Sequence, residues 1–342
     1  MGEVERNTKK VLVTNSLTIG YPEKKGEPNI ILANLNLEVH EGQVVCILGP
    51  NGSGKSTLLR TVSGIQPALE GTVDVLDQEV NTHGQRKLAR LLSVVLTDRI
   101  EVRNLTVFQL VSMGRYPHND WLGRLTDKDK EIIERSISQV NLTDFLHRDV
   151  DELSDGEQQR VMIAKALAQD TPLIILDEPT AHLDLPNRVE VIRLLRELAS
   201  TTGKAILLSS HDLDLALQSS DWLWIIPKGG PVIQGMPEDL VLNGSFEASF
   251  DTKQVHFNPG TGSFLIEYKT QKTLYYEGDN ITVFWTMRAL AREGYRMIQD
   301  DKVHQRLILS DDSPRWSYQD GEKLNVFEKL SELVRFLRSF SN

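Results

Sequence analysis

The chain has 342 residues, more than the ~100–200 of one typical domain, so a large domain with a smaller companion is expected. Forty per cent hydrophobic and 25% charged residues give the composition of a soluble globular protein and exclude disordered, collagen-like and disulfide-stapled classes. With 48 acidic against 38 basic residues the formal charge is −10, which disfavours broad nucleic-acid binding, and the single cysteine, Cys46, rules out an intrachain disulfide and a Cys-cluster zinc site.

The first ten residues carry charges of both signs and no apolar core segment, unlike a secretory signal. No stretch approaches the ~20 apolar residues that span a bilayer. A cytoplasmic chain in a reducing compartment is therefore expected, with any membrane role peripheral. Residues 11–18 predict a strand, and the alternation over 30–39 predicts a second. The continuous apolar run 44–48 suits a strand buried on both faces. A glycine-rich turn over 49–54 leads into a helix over 55–62. Residues 99–168 read mostly helical, interrupted by a polar, aromatic-bearing loop over 114–125. A buried strand over 173–176, a helix over 188–200 and strands over 205–209 and 222–226 complete an α/β alternation with parallel pairing.

Composition shifts after Asp251, and Asn258, Pro259, Gly260 and Gly262 form a cluster of breakers. The expected domains are 1–251 and 252–342, with a helical subdomain over about 99–168 of the first. In the second, segments 263–268 and 273–276 predict a hairpin. A helix over 281–292, opened by Asn280 and stopped by Gly294, comes before strands near Tyr295 and Leu307. A terminal helix carries Val326, Leu330, Leu333, Leu337 and Phe340 on one stripe. That part reads as a small α+β domain with no motif tied to chemistry.

Gly49-Pro50-Asn51-Gly52-Ser53-Gly54-Lys55-Ser56 fits G-x-x-x-x-G-K-[ST] between a strand and a helix, the setting in which that pattern binds phosphates. Glycines let the backbone curl so that successive N–H groups point at phosphate oxygens. Lys55 supplies a cation for the β and γ phosphates, Ser56 offers a hydroxyl to Mg²⁺, and the helix N-terminus adds partial positive charge. Asp177 and Glu178 end an apolar strand, where α/β folds present ligand-binding residues. Asp177 is the expected Mg²⁺ partner and Glu178 the group that polarises the attacking water. His211, after the run 205–210, stands at a neighbouring strand end within expected reach of the γ phosphate.

Leu153-Ser154-Asp155-Gly156-Glu157-Gln158-Gln159-Arg160, shortly before the acidic pair, resembles the signature motif of ATP-binding-cassette ATPases. Ser154 and Glu157 also have the spacing of a capping box that opens a helix, and both readings hold together. The resemblance covers roughly residues 9–250. It implies a P-loop NTPase cassette: a RecA-like core, an antiparallel β subdomain and a helical subdomain. It adds Thr57 and Asp184 to the nucleotide-binding set, the latter within Ala181-His182-Leu183-Asp184, which resembles the loop crossing the dimer interface. Tyr21 resembles the aromatic that stacks on adenine, its alternative being a packed strand-end aromatic. In the family, Ser154 to Gly156 of one subunit would face the γ phosphate held by the other, so a homodimer around two ATP and Mg²⁺ is implied.

A finer resemblance lies in Asn104-Leu105-Thr106-Val107, Met113-Gly114-Arg115-Tyr116-Pro117 and Trp121-Leu122-Gly123-Arg124-Leu125. These look like the subunits that energise import of iron–siderophore, haem or cobalamin. That implies a separate membrane permease, a substrate-binding protein acting indirectly, and a place on the inner face of the cell membrane. The alternative is a soluble cassette ATPase of an iron–sulfur assembly or adaptor complex. The sequence departs from the family at two positions. Thr97 falls where a glutamine usually touches Mg²⁺ and the permease, so that either Thr97 works through a water, or Asp98 substitutes, or the loop has another register. Asp155 replaces the usual signature glycine and adds a carboxylate near the triphosphate.

Overall fold

The structure, a computed structural model, describes residues 9–23, 26–97, 104–120, 123–252, 254–278, 281–300, 303–309 and 315–339. The expectations for Asp98, Trp121, Leu122, Asn280 and Phe340 fall outside them. The chain divides into two compact units, Met1–Phe250 with Pro259–Ser263, and Asp251–Asn258 with Phe264–Asn342.

The first unit opens with β1 (Lys10–Tyr21), β2 (Asn29–Leu35), β3 (Glu38–His40) and β4 (Val44–Leu48), followed by α1 (Lys55–Val62). Then come β5 (Glu70–Val75), β6 (Gln78–Glu79), α2 (Gln85–Leu88) and β7 (Leu92–Val95). The helices α3 (Val107–Ser112), α4 (Asp127–Gln139) and α5 (Asp155–Ala168) pack on one another. After them run β8 (Leu173–Leu176), α6 (Leu185–Thr202), β9 (Ala205–Ser209), α7 (Leu213–Ser219), β10 (Trp222–Ile225), β11 (Ile233–Gly235), α8 (Pro237–Leu242) and α9 (Ser245–Phe250).

Two sheets organise this unit. One runs β11-β10-β4-β9-β8-β7, parallel apart from β11. Its central strands β4, β8 and β9 are buried along their whole length, as their unbroken apolar runs require. The other is antiparallel, ordered β2-β1-β5-β6, with β3 also on β1. Leu12, Val45, Leu58, Val73 and Leu207 belong to one core, each burial worth about 1.5–3 kcal/mol. Burial pushes the Cys46 thiol up to about 12, which removes it as a nucleophile.

The single strand expected over 30–39 is two strands. Asn34 turns the chain at φ 54°, and the buried Thr14 hydroxyl holds the break, accepting from Leu37 N at 2.8 Å and donating to Leu35 O at 3.1 Å. The helix expected over 188–200 starts earlier, at Leu185, because Asp184 caps it and Pro186 fits the first turn. The strands β5, β6, β7 and β11 and the helices α7, α8 and α9 had no separate expectation; most are short, so their periodicity is weak.

In the second unit β12 (Val255–Asn258) pairs with β13 (Ser263–Ile266). A five-stranded sheet follows from β14 (Lys272–Glu277), α10 (Ile281–Arg292), β15 (Tyr295–Ile298), β16 (Gln305–Leu309), β17 (Trp316–Asp320), β18 (Lys323–Phe327) and α11 (Leu330–Ser339), ordered β15-β14-β16-β17-β18. The expected hairpin between 263–268 and 273–276 does not form, because β14 pairs in parallel with β15 and β16 instead. Both residues Leu333 and Leu337 of the terminal stripe are buried, whereas Val326 sits in β18 and is 56% exposed. Leu274, Leu290, Leu307 and Trp316 form a separate core. The fold is α/β with an α+β second unit. Among the described residues no helix is long and apolar enough to cross a membrane.

Candidate active site

The loop from Gly49 to Gly54 joins β4 to α1. A Cβ on Gly49 would lie 2.6 Å from both the Ile226 carbonyl and Ser53 Oγ, and Gly52 and Gly54 take φ of 77° and 106°, so side chains at these positions would either collide or strain the turn. Lys55 Nζ donates to Gly49 O at 2.8 Å and Pro50 O at 3.3 Å, which folds the ammonium back under the loop. Burial pushes that ammonium below the ordinary lysine range, while the charges of Glu178 and Asp177 pull the other way. Among the described residues Ser53 Oγ is buried without a hydrogen-bond partner, a donor that phosphate oxygens would satisfy. Thr57 is in the first turn of α1, and Tyr21 Oη lies 3.2 Å from its Oγ1, the ring 45% exposed beside the loop.

Asp177 and Glu178 leave the end of β8. Ser56 Oγ and Asp177 Oδ1 are 3.5 Å apart, so a hydroxyl and a carboxylate converge where a hard cation with oxygen ligands fits. Ser209 Oγ donates to the same Asp177 Oδ1 at 2.7 Å. Glu178, at φ 49°, brings Oε1 to 2.6 Å from His211 Nε2. The structure thus gathers the loop, Ser56, Asp177, Glu178 and His211 into one cluster. Such a cluster can hold a triphosphate with its metal and set a carboxylate–imidazole pair beside it.

Ser154, Gly156 and Asp184 form a second group. Ser154 caps α5: its hydroxyl accepts from Glu157 N at 3.4 Å, while Glu157 Oε2 accepts from Ser154 N at 2.8 Å and from its hydroxyl at 2.7 Å. Those two Ser154 donors hold the Glu157 carboxyl below its usual range. A Cβ on Gly156 would meet Asn187 Oδ1 at 2.6 Å, and Asp184 Oδ1 accepts from Asn187 N at 3.2 Å and Nδ2 at 2.7 Å. The described bonds of this group run to Glu157 and Asn187 rather than to the phosphate loop.

Sequence reasoning missed two contributors, Ser209 and Asn187, and named Thr97 without its contact. Ser209 bonds Asp177 and Glu178, 32 and 31 positions away, and its only local signal was a polar residue closing an apolar strand, whereas Asn187 bonds Asp184 nearby and matters through its close approach to Gly156. The Thr97 hydroxyl donates to the Asp177 carbonyl at 2.8 Å, a contact that its position in a motif did not foretell.

The family model for ABC transporters matches residues 32–181, and that for the iron ABC transporter C-terminal domain matches residues 271–338. An uncharacterized ABC transporter ATP-binding protein of Methanocaldococcus jannaschii is 37% identical over 74% of this chain and 86% of its own. The iron(3+)-hydroxamate import ATP-binding protein of Bacillus subtilis is 36% identical over 66% of this chain and 81% of its own. Among solved structures, a dimeric ABC transporter cassette superposes with a TM-score of 0.57 at 26% identity, covering 66% of this chain and 98% of that one. The chain belongs to the ATP-binding proteins of ABC transporters, carries an iron-ABC-type C-terminal domain, and is a nucleotide-binding ATPase.

Proposed function

We propose that this chain is the ATP-binding and hydrolysing subunit of an importer for an iron chelate, haem or cobalamin, working on the inner face of the cell membrane against a separate permease. The observation that carries the ATPase half is the convergence of Ser56, Asp177, Glu178 and His211 behind the loop from Gly49 to Gly54. The iron-ABC match of the C-terminal segment, with the import relative, supports the importer half and leans toward an iron chelate. The soluble iron–sulfur assembly alternative gains no support from these relatives.

Lys55, the loop N–H groups and the N-terminus of α1 bind the phosphates and offset their charge. Tyr21, exposed beside the loop, offers its ring to the adenine, and Thr57 follows Ser56 in the first turn of α1 within the nucleotide-binding set. Ser56 and Asp177 would hold Mg²⁺, which when bound neutralises charge on the β and γ oxygens. Glu178 accepts a proton from the attacking water, and His211, whose Nε2 lies 2.6 Å from Glu178 Oε1, keeps the carboxylate turned to the γ phosphate. The described bonds of Ser154 run to Glu157 and not to this cluster, and a second copy's α5 N-terminus completes the site. The dimeric cassette structure supports that arrangement. A substrate-binding protein enters through the permease and not through this chain.

The test is uptake. A strain carrying Glu178→Gln loses accumulation of a radioiron-loaded hydroxamate siderophore, and capture of the chain from detergent-extracted membranes brings down a permease of many spans. Normal uptake in that strain, or recovery solely with soluble scaffold proteins, overturns the importer reading.

A further inference from the structure

We propose that Thr97 and Ser209 are positioning residues that clamp the peptide plane between Asp177 and Glu178 from both sides and thereby aim the Glu178 carboxylate. This rests on the reading of Asp177 and Glu178 as the metal-binding and water-polarising carboxylates.

The sheet order sets up the clamp. β8 lies between β7 and β9, with Leu176 in register with Val95 on one side and Leu208 on the other. The ladder runs one residue further, since Asp177 N donates to Val95 O at 2.9 Å. There the chain leaves the sheet, and Glu178 adopts φ 49°, a left-handed conformation that residues with a Cβ hold only when their surroundings impose it. The surroundings are two hydroxyls. From the β7 side, Thr97 Oγ1 donates to the Asp177 carbonyl at 2.8 Å. From the end of β9, Ser209 Oγ accepts from Glu178 N at 2.9 Å. Carbonyl and N–H of one peptide are thus each bonded to a different neighbouring strand end. Rotating that plane would break both bonds.

Ser209 has a second task. Its own proton goes to Asp177 Oδ1 at 2.7 Å, so one hydroxyl ties the Asp177 side chain, placed beside Ser56, to the Glu178 backbone. It is fully buried, so no water replaces either bond when the hydroxyl is removed. The carboxylate that this plane directs ends 2.6 Å from His211 Nε2. Neither hydroxyl needs to touch nucleotide. Thr97 does its work at the Asp177 carbonyl.

The test compares Thr97→Val, Thr97→Ser, Ser209→Ala and Glu178→Gln in the full chain, reading kcat, KM for ATP, affinity for a fluorescent ATP analogue and the pH–rate profile. Thr97→Val and Ser209→Ala should lower kcat by about 10- to 100-fold, the scale of a misaimed reacting group, with nucleotide affinity within about twofold. Thr97→Ser should recover most of the rate, and adding Thr97→Val to Glu178→Gln should cost nothing further. A wild-type kcat in Thr97→Val beside a dead Glu178→Gln overturns the clamp alone. So does a loss in Thr97→Val that appears equally in nucleotide affinity. Normal turnover in Glu178→Gln overturns the reading of Glu178 and the clamp with it. Thr97 is only partly buried, so Thr97→Val decides the matter even if Ser209→Ala fails to fold.

Discussion

Gly156, in the first turn of α5, and Asn187, in the first turn of α6, are packed so closely that a Cβ on the glycine would come within 2.6 Å of the Asn187 amide oxygen. Asp184 Oδ1 accepts from that amide's Nδ2 at 2.7 Å and from the Asn187 backbone N–H at 3.2 Å, so the asparagine cannot simply swing away. The start of the signature helix and the start of α6 are therefore mechanically joined, although 31 residues separate Gly156 from Asn187.

Gly156→Ala forces the two helix starts apart, an overpacking change that costs about 1–3 kcal/mol. The expected result is a lower melting temperature and a loss of ATP-driven dimerisation. Asn187→Ala in the same chain removes the clashing amide and should restore part of both. Unchanged melting in Gly156→Ala would show that the helices separate freely.

Lys55 supplies a pH dependence. Its ammonium is held below the ordinary lysine value of 10.5 by burial, and phosphate oxygens favour the charged form. The folded, nucleotide-free protein therefore gives up this proton at a lower pH than the ATP-bound protein does. ATP affinity should fall as pH rises through the depressed value, with net proton uptake on binding in that window, measured by calorimetry in buffers of different ionisation enthalpy. For stability the direction is opposite, rising with pH. The unfolded chain binds the proton more tightly, so this burial costs stability fully below the depressed value, and the cost vanishes above 10.5.

The helical subdomain rests on a buried ion pair. Arg115 Nε donates to Asp129 Oδ1 at 2.8 Å and its NH1 donates to Ala168 O at 2.8 Å, joining the loop after α3 to α4 and to the end of α5. Arg115→Met leaves Asp129 charged and buried, a loss of about 3–5 kcal/mol. Hydrogen exchange should show the loss concentrated in α3, α4 and α5. Protection spread evenly over the first unit would contradict it.

In the second unit, His256 stands between two carboxylates, Nδ1 at 2.9 Å from Asp251 Oδ2 and Nε2 at 3.0 Å from Glu267 Oε2. The bonds to Asp251 and then Glu267 raise its pKa above 6.5. Because the folded value is raised, any support this contact gives is complete below 6.5 and lost as pH rises through the folded value. NMR titration of His256 should show a midpoint that drops in Asp251→Asn and again when Glu267→Gln is added. A midpoint insensitive to both would remove the contact from the account.

What was legible in the sequence follows from range. The helix over 55–62 and the buried strands 44–48, 173–176 and 205–209 are set by local glycine pattern and by apolar runs that only a doubly covered strand tolerates, and the structure places them at those bounds. The β14 partner was misjudged because a hairpin is the cheapest local pairing, whereas β14 finds β15 and β16 across an intervening helix. Thr14 and Asn34 broke one expected strand through a contact between residues about two dozen positions apart. In the candidate site, the loop and the acidic pair announce themselves by residue type. Ser209 and Asn187 do not, and Thr97 stands out only as a departure from a pattern, since a hydroxyl or amide gains its meaning from what the fold brings beside it.

The most direct measurement is the mass in solution of the Glu178→Gln chain with ATP and with ADP, alongside its rate of ATP hydrolysis. A chain that binds nucleotide in Lys55 and Ser56, holds its metal through Asp177 and polarises water with Glu178 should bind ATP, lose turnover by about 10²-fold or more, and shift from monomer to dimer with ATP but not ADP. Normal hydrolysis, or a monomer under ATP, would contradict a cassette ATPase whose two sites are completed by a second copy.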